Sequence, residues 1–164
     1  MRRRKPDPAA EAAPDDPRAA RLAALKLLNR RDYGARELAE RLVSRGFARG
    51  AAEAATAGLA AEKLVDDARF AEHFVAYHAN RGQGPVRIAH RLREAGVAAE
   101  TIDAALDAGA ADWRRRCEQA RRKRFGAKPP GTWAERGRQA RFLTQRGFSA
   151  GQVRAAIGGD VDED

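Results

Sequence analysis

Several groups of residues have types and spacings that could do chemistry. Asp66 and Asp67 are adjacent carboxylates, a pair of the kind that holds magnesium or shares a proton. His73, His78 and His90 are potential metal ligands. Cys117, the sole cysteine, stands among Arg114, Arg115, Arg116 and Arg121, and cationic neighbours activate a thiol when it is exposed. Gly82, Gln83, Gly84 and Pro85 make a glycine-rich turn, and Trp113 and Trp133 have faces that can stack on nucleobases. The densest basic run is Arg114, Arg115 and Arg116 followed by Arg121, Arg122, Lys123 and Arg124.

Most of these groups have a plainer use. No two of the histidines share a helix face with a carboxylate at the metalloprotease position, and no cysteine cluster joins them, so no metal is expected. The glycine-rich turn lacks the Lys-Ser/Thr ending of a phosphate loop and follows a helix, which makes it a helix linker. Cys117 has no matching His or Asn constellation and reads as an inert thiol. The two tryptophans sit near helix starts, where packing serves as well as stacking. With nucleophile, metal and cofactor patterns all missing, the sequence predicts a protein that is not an enzyme and carries no cofactor. The basic run resists dismissal: only Glu118 interrupts it, and a phosphate backbone or an acidic protein surface would relieve its repulsion.

The elements that must position these residues are helices. Among 164 residues, Val, Ile and Thr number 14 against 38 Ala, which excludes a large sheet and favours helix nearly throughout. A single cysteine rules out an internal disulfide and fits a reducing cytoplasm. No apolar run approaches the length of a membrane span, and the basic start at Met1 to Lys5 runs into Pro6, Asp7 and Pro8, not an apolar leader.

One segment recurs three times: Leu38 to Phe47, Ile88 to Val97 and Gln139 to Phe148. In each copy a Leu (Leu42, Leu92, Leu143) lies four residues before a Gly (Gly46, Gly96, Gly147), and an apolar residue follows. That is a helix ending, with Gly supplying the left-handed residue after the last turn. The starts are equally legible. Asp16 before Pro17 opens a helix through Leu22, Leu25 and Leu28. Asp66 caps a helix whose Val65 and Phe70 are spaced as a hydrophobic staple, and Asp67 suits the positive dipole end. Gly84 and Pro85 start another helix, while Thr132 with Glu135 and Ser149 with Gln152 form capping boxes. The expected fold is all-α, three tandem three-helix repeats in an elongated, curved array. Repeat 1 spans 18–65, repeat 2 spans 66–109 and repeat 3 spans 110–158. Residues 1–17, with four of the seven prolines, should form a disordered tail that buries nothing, and 159–164 an acidic one.

Charge is unevenly spread. The chain is +9 overall with a sequence pI near 10.7, and residues 113–154 alone carry 13 basic and 2 acidic side chains. A polyanionic or acidic partner is expected for that end.

The stretch Leu64, Val65, Asp66, Asp67, Ala68, Arg69, Phe70 and Ala71, continued by Arg81 to Ile88 and Arg91 to Val97, resembles the signature of RecX regulatory proteins, which modulate the RecA recombinase. The likeness runs from about Ala20 through Arg31-Asp32-Tyr33 and Arg45-Gly46-Phe47 to Arg146-Gly147-Phe148, all but the tails. It departs from the family in α-helical Arg49 to Ala61, nearly all alanine, and at Gln139, where the other copies have Leu38 and Ile88. The resemblance implies a non-enzymatic helical chain that lies in the groove of the RecA filament on single-stranded DNA. It also implies inhibition of ATP hydrolysis and strand exchange, with a role in recombination, repair and the SOS response. On that view a cytoplasmic monomer meets recombinase protomers through Arg81, Arg87, Arg91 and Arg93. Arg114, Arg115, Arg116, Arg121, Arg122, Lys123, Arg124 and Arg146 would supply attraction to weakly or indirectly bound DNA or to acidic filament surface. The competing reading is a free-standing DNA-binding protein of helix-turn-helix type, which would need a helix presenting base-reading side chains.

Overall fold

The computed structural model describes residues 7–109 and 112–158, and among them it contains ten helices and no strand. They are α1 (Pro8–Ala12), α2 (Pro17–Leu28), α3 (Ala35–Val43), α4 (Arg49–Ala61), α5 (Asp67–Asn80), α6 (Pro85–Glu94), α7 (Ala99–Gly109), α8 (Trp113–Phe125), α9 (Trp133–Gln145) and α10 (Ala150–Ala156). The chain divides into two compact units. One runs to Ala71 and includes Glu94–Ala98; the other comprises Glu72–Arg93 and the residues from Ala99 onward. The expected all-α fold is present as a helical repeat array.

In the first unit α2 packs on α4 through alanines: Ala20, Ala23 and Ala24 face Ala51, Ala52 and Ala55 in one buried cluster. Small side chains let the two backbones approach, and Leu27, Leu38, Leu42 and Leu59 fill the remainder. The alanine-rich α4 is thus a packing surface. The helix expected through Leu22, Leu25 and Leu28 is α2; its buried stripe is set by its alanines and Leu27, and Leu22, off that stripe, is 61% exposed.

The expected tail also differs. Within 1–17, α1 forms behind an Asp7 N-cap with Pro8 at the first helical position, and Ala10 is buried in the α2–α4 core. The Asp7 N–H donates to the Arg45 carbonyl at 3.0 Å, the Asp7 carboxylate lies 3.3 Å from the Arg45 guanidinium, and Ala48 N–H donates to the Pro14 carbonyl. A proline-rich composition hid a segment that satisfies the end of α3.

Gly46, Gly96 and Gly147 take φ of 104°, 83° and 90°. Phe47 and Phe148 donate back to Leu42 and Leu143, closing α3 and α9 in the six-to-one pattern of a glycine-terminated helix. At their other ends, α3 and α6 begin with glycine and have no capping side chain of their own at that position. Neighbours supply the acceptors. Ala35 N–H donates to Asp67 Oδ1 at 2.8 Å, so the second aspartate of the pair caps α3 while Asp66 Oδ1 caps α5 through Ala68 and Arg69. Gly84 and Val86 donate to the carbonyls of Arg146 and Gly147 at 2.8 and 3.0 Å. The last module differs: α9 starts at Thr132, which forms a complete capping box with Glu135.

The Gly84 approach leaves no room for a side chain, since a Cβ there would overlap the Gly147 carbonyl and the Phe148 nitrogen. Gly137, inside α9, has nothing within 4 Å. Gly84→Ala should therefore lower stability by about 1–3 kcal/mol. Gly137→Ala should raise it by up to about 1 kcal/mol. Urea unfolding midpoints of the two variants moving in the same direction would contradict this account.

Candidate partner and nucleic-acid interface

The second unit brings the end of α5 together with α8 and α9 around a cleft of about 420 Å³. Gly82, at φ 74°, stops α5 and aims Arg81 across the cleft from α8. Five cationic side chains line it: Arg81, Arg116, Lys123, Arg124 and Arg146. Among the described residues no carboxylate does. Two of the guanidiniums are fixed from behind, Arg116 by the Asn80 Oδ1 at 3.1 Å and Arg146 by the Arg81 carbonyl at 3.3 Å. Arg81 lies 4.1 Å over the Tyr77 ring, and Arg146 lies 5.2 Å over Phe142.

The structure divides the basic run of α8 into distinct roles. Arg114 and Arg115 are exposed near its start, and Arg122 pairs with Glu118 at 2.6 Å. Arg121 is a correction to the sequence reading. It is 2% exposed and donates to the carbonyls of Gly126, Ala127 and Lys128 at 3.1–3.3 Å, holding the turn that follows α8. A guanidinium can satisfy several carbonyls at once, and that turn has no ladder of its own. Arg121 is therefore unavailable to a polyanion. Its neighbour on the buried face, Cys117, sits with Leu143, Phe148 and Val153, and burial pushes its thiol pKa up to about 12. The surrounding arginines do not activate it.

The arginines assigned to recombinase contact do not form one patch. Arg81 belongs to the cleft. Arg87 is exposed and donates to the Gln145 carbonyl at 3.1 Å. Arg91 reaches the His78 ring nitrogens at 3.2 Å and lies 5.1 Å from the centre of Phe74, and Arg93 is exposed. Asn80 and Phe142, which line the cleft, and Tyr77, which lies under Arg81, were not singled out by sequence, because their roles follow from α5 meeting α8 and α9. Gln139 occupies a buried position in α9, with its Oε1 lacking a hydrogen-bond partner, where the other copies carry an aliphatic residue.

Among the described residues no group of three or more His, Cys, Asp or Glu could hold a metal ion, and no helix is long and apolar enough to cross a membrane. Trp133 is 89% exposed and Trp113 packs against the Cys117 cluster.

Comparison with known proteins decides the family. Models of the second and third three-helix domains of RecX match residues 66–106 and 113–157. The chain belongs to the RecX family of regulatory proteins. It is 49% identical to the regulatory protein RecX of Halorhodospira halophila over 89% of this chain and 90% of that one. Against the RecX protein of Stenotrophomonas maltophilia the identity is 39%, covering 85% and 86%. The crystal structure of RecX from Lactobacillus salivarius superposes with a TM-score of 0.73 at 19% identity, covering 88% of this chain and 96% of that one, which establishes the shared fold.

Two measurements check these roles. Arg121→Ala should cost roughly 2 kcal/mol in unfolding free energy, the scale of charged hydrogen bonds, and should leave nucleic-acid affinity nearly unchanged. Loss of affinity without loss of stability would return Arg121 to the binding surface. His78 has its pKa lowered, first by burial and then by Arg91, Arg81 and Arg87. The unfolded chain thus takes up the proton first, and stability falls as pH drops below the unfolded value of about 6.5. Urea unfolding at about pH 7.5 and about pH 5.5 should show a larger loss in the parent than in His78→Gln. Equal losses would contradict the assignment.

Proposed function

We propose that this chain binds the RecA recombinase filament on single-stranded DNA and inhibits its ATP hydrolysis and strand exchange, thereby modulating recombination and repair in the cytoplasm. The observation that carries this reading is the match to regulatory RecX proteins along nearly the whole chain, signature residues Asp66 to Val97 included. Physical features support it. A filament repeats the same protomer around a polyanion, and a chain of tandem modules can engage several protomers, gaining affinity from contacts that are individually weak. Arg87, Arg91 and Arg93 are offered by α6 toward a protein partner, and exposed Arg114 and Arg115 add long-range attraction. The protein acts as a monomer and by occupancy, without turnover of its own.

Titration of the purified protein into its cognate recombinase on single-stranded DNA, followed by ATP hydrolysis, tests the reading. Inhibition is expected below one molecule per protomer. Arg87→Glu with Arg93→Glu should raise the half-inhibitory concentration roughly tenfold, about 1.4 kcal/mol of binding. A recombinase that hydrolyses ATP at the same rate throughout the titration would refute the function.

A further inference from the structure

The cleft of the second unit joins residues that the sequence assigns to different tasks. Arg81 comes from the end of α5, Arg116, Lys123 and Arg124 from α8, and Arg146 from the end of α9. We propose that this cleft is a binding site for the phosphodiester backbone of single-stranded nucleic acid, read by charge and ring faces without base selection. The proposal deepens the filament reading and rests on it for its setting.

Three observations carry it. First, like charges have been gathered in a concave site and not dispersed: five cations converge with no carboxylate among the described lining residues. Such a site repels itself until an anion arrives. Second, the cations are already in place. Arg116 and Arg146 each spend a donor on a protein oxygen, and a guanidinium has five, so donors remain for phosphate oxygens without a search for geometry. Arg116 and Lys123 are seven residues apart on α8, about 10 Å, the span of roughly three stacked nucleotides at about 3.4 Å each. Third, one aromatic ring lines the site and a second stands beside it under Arg81. Phe142 is part of the lining, and Tyr77, under Arg81, is 52% exposed despite its size.

These features also select among polyanions. At about 420 Å³ the cleft has room for part of a single strand and not for the stacked, paired strands of a duplex. The acidic surface of a protein would meet the charges but would have no use for the rings. Asn80 is bonded to Arg116, and among the described lining residues Gln119 is the one other uncharged polar side chain, so contacts to phosphate outnumber any to base edges.

The test is fluorescence anisotropy of a labelled oligo(dT) with the full chain over a salt series. Lys123→Glu with Arg124→Glu, inside the cleft, is compared with Arg136→Glu with Arg138→Glu, exposed on α9 outside it. Both make the same change in net charge. The cleft variant should weaken binding more than tenfold and reduce the logarithmic salt slope by about 1.4, two contacts at about 0.7 each. The outer variant should change affinity less than threefold. Arg81→Gln, on another helix, should reproduce the loss if the double substitution disturbs α8, which circular dichroism reports. Equal weakening by the two double variants would mean diffuse attraction and overturn the site. So would equal affinity for duplex, or undiminished oligo(dT) binding by a cleft variant that has lost binding to poly-glutamate. Recombinase inhibition by the parent chain is measured separately: its failure would remove the filament reading while leaving oligo(dT) binding in the cleft to stand or fall alone.

Discussion

An α-helix leaves its first four N–H groups and last four C=O groups outside its own ladder, and in a helix of nine residues, such as α3, that is close to half of each kind. The short helices of this fold meet that cost with one another. Asp67 accepts from the start of α3, the Arg146 and Gly147 carbonyls accept from the start of α6, and Asp7 donates to the end of α3. This requirement explains glycine at positions 34 and 84. A side chain there would hold the neighbour's acceptor away: at Gly34 a Cβ would come within 3.3 Å of the Phe70 ring, and at Gly84 it would strike backbone. Apolar burial then works on modules whose ends are already tied, with Leu38, Ile88 and Leu42, Leu92 placed at matching depths in their helices.

The same backbone arrangement sets the electrostatics. The Arg81 carbonyl, released where α5 stops, is the acceptor that fixes Arg146, and the Asn80 side chain fixes Arg116. A helix terminus thus holds cations that would otherwise spread apart in solvent. Arg121 shows the limit of counting charge along a sequence. It belongs to the same basic run but is consumed by three carbonyls of the turn after α8, and Arg122 is neutralised by Glu118.

Features that depend on neighbours in sequence were legible before any coordinates. Asp16 with Pro17, the Thr132–Glu135 and Ser149–Gln152 boxes, and the three left-handed glycines are all settled within a few residues. Features settled across the fold were not. Asp66 reads as a cap because its donors are two and three residues away, whereas the donor to Asp67 lies 32 residues back. Proline-rich residues 7–14 gave no sign of docking, since the Arg45 carbonyl that receives Asp7 is invisible in composition. The convergence of Arg81 with α8 follows from packing, and the buried face of α2 follows from how closely alanines let α4 approach.

The capping box on α9 has an architectural consequence. In α3 and α6 the opening residue is a glycine whose hydrogen-bonding needs are met from elsewhere, while in α9 Thr132 and Glu135 meet them internally. The opening turn of α9 is therefore anchored by its own residues and holds without a neighbour, whereas the first turns of α3 and α6 would fray if the segments that supply their acceptors came away.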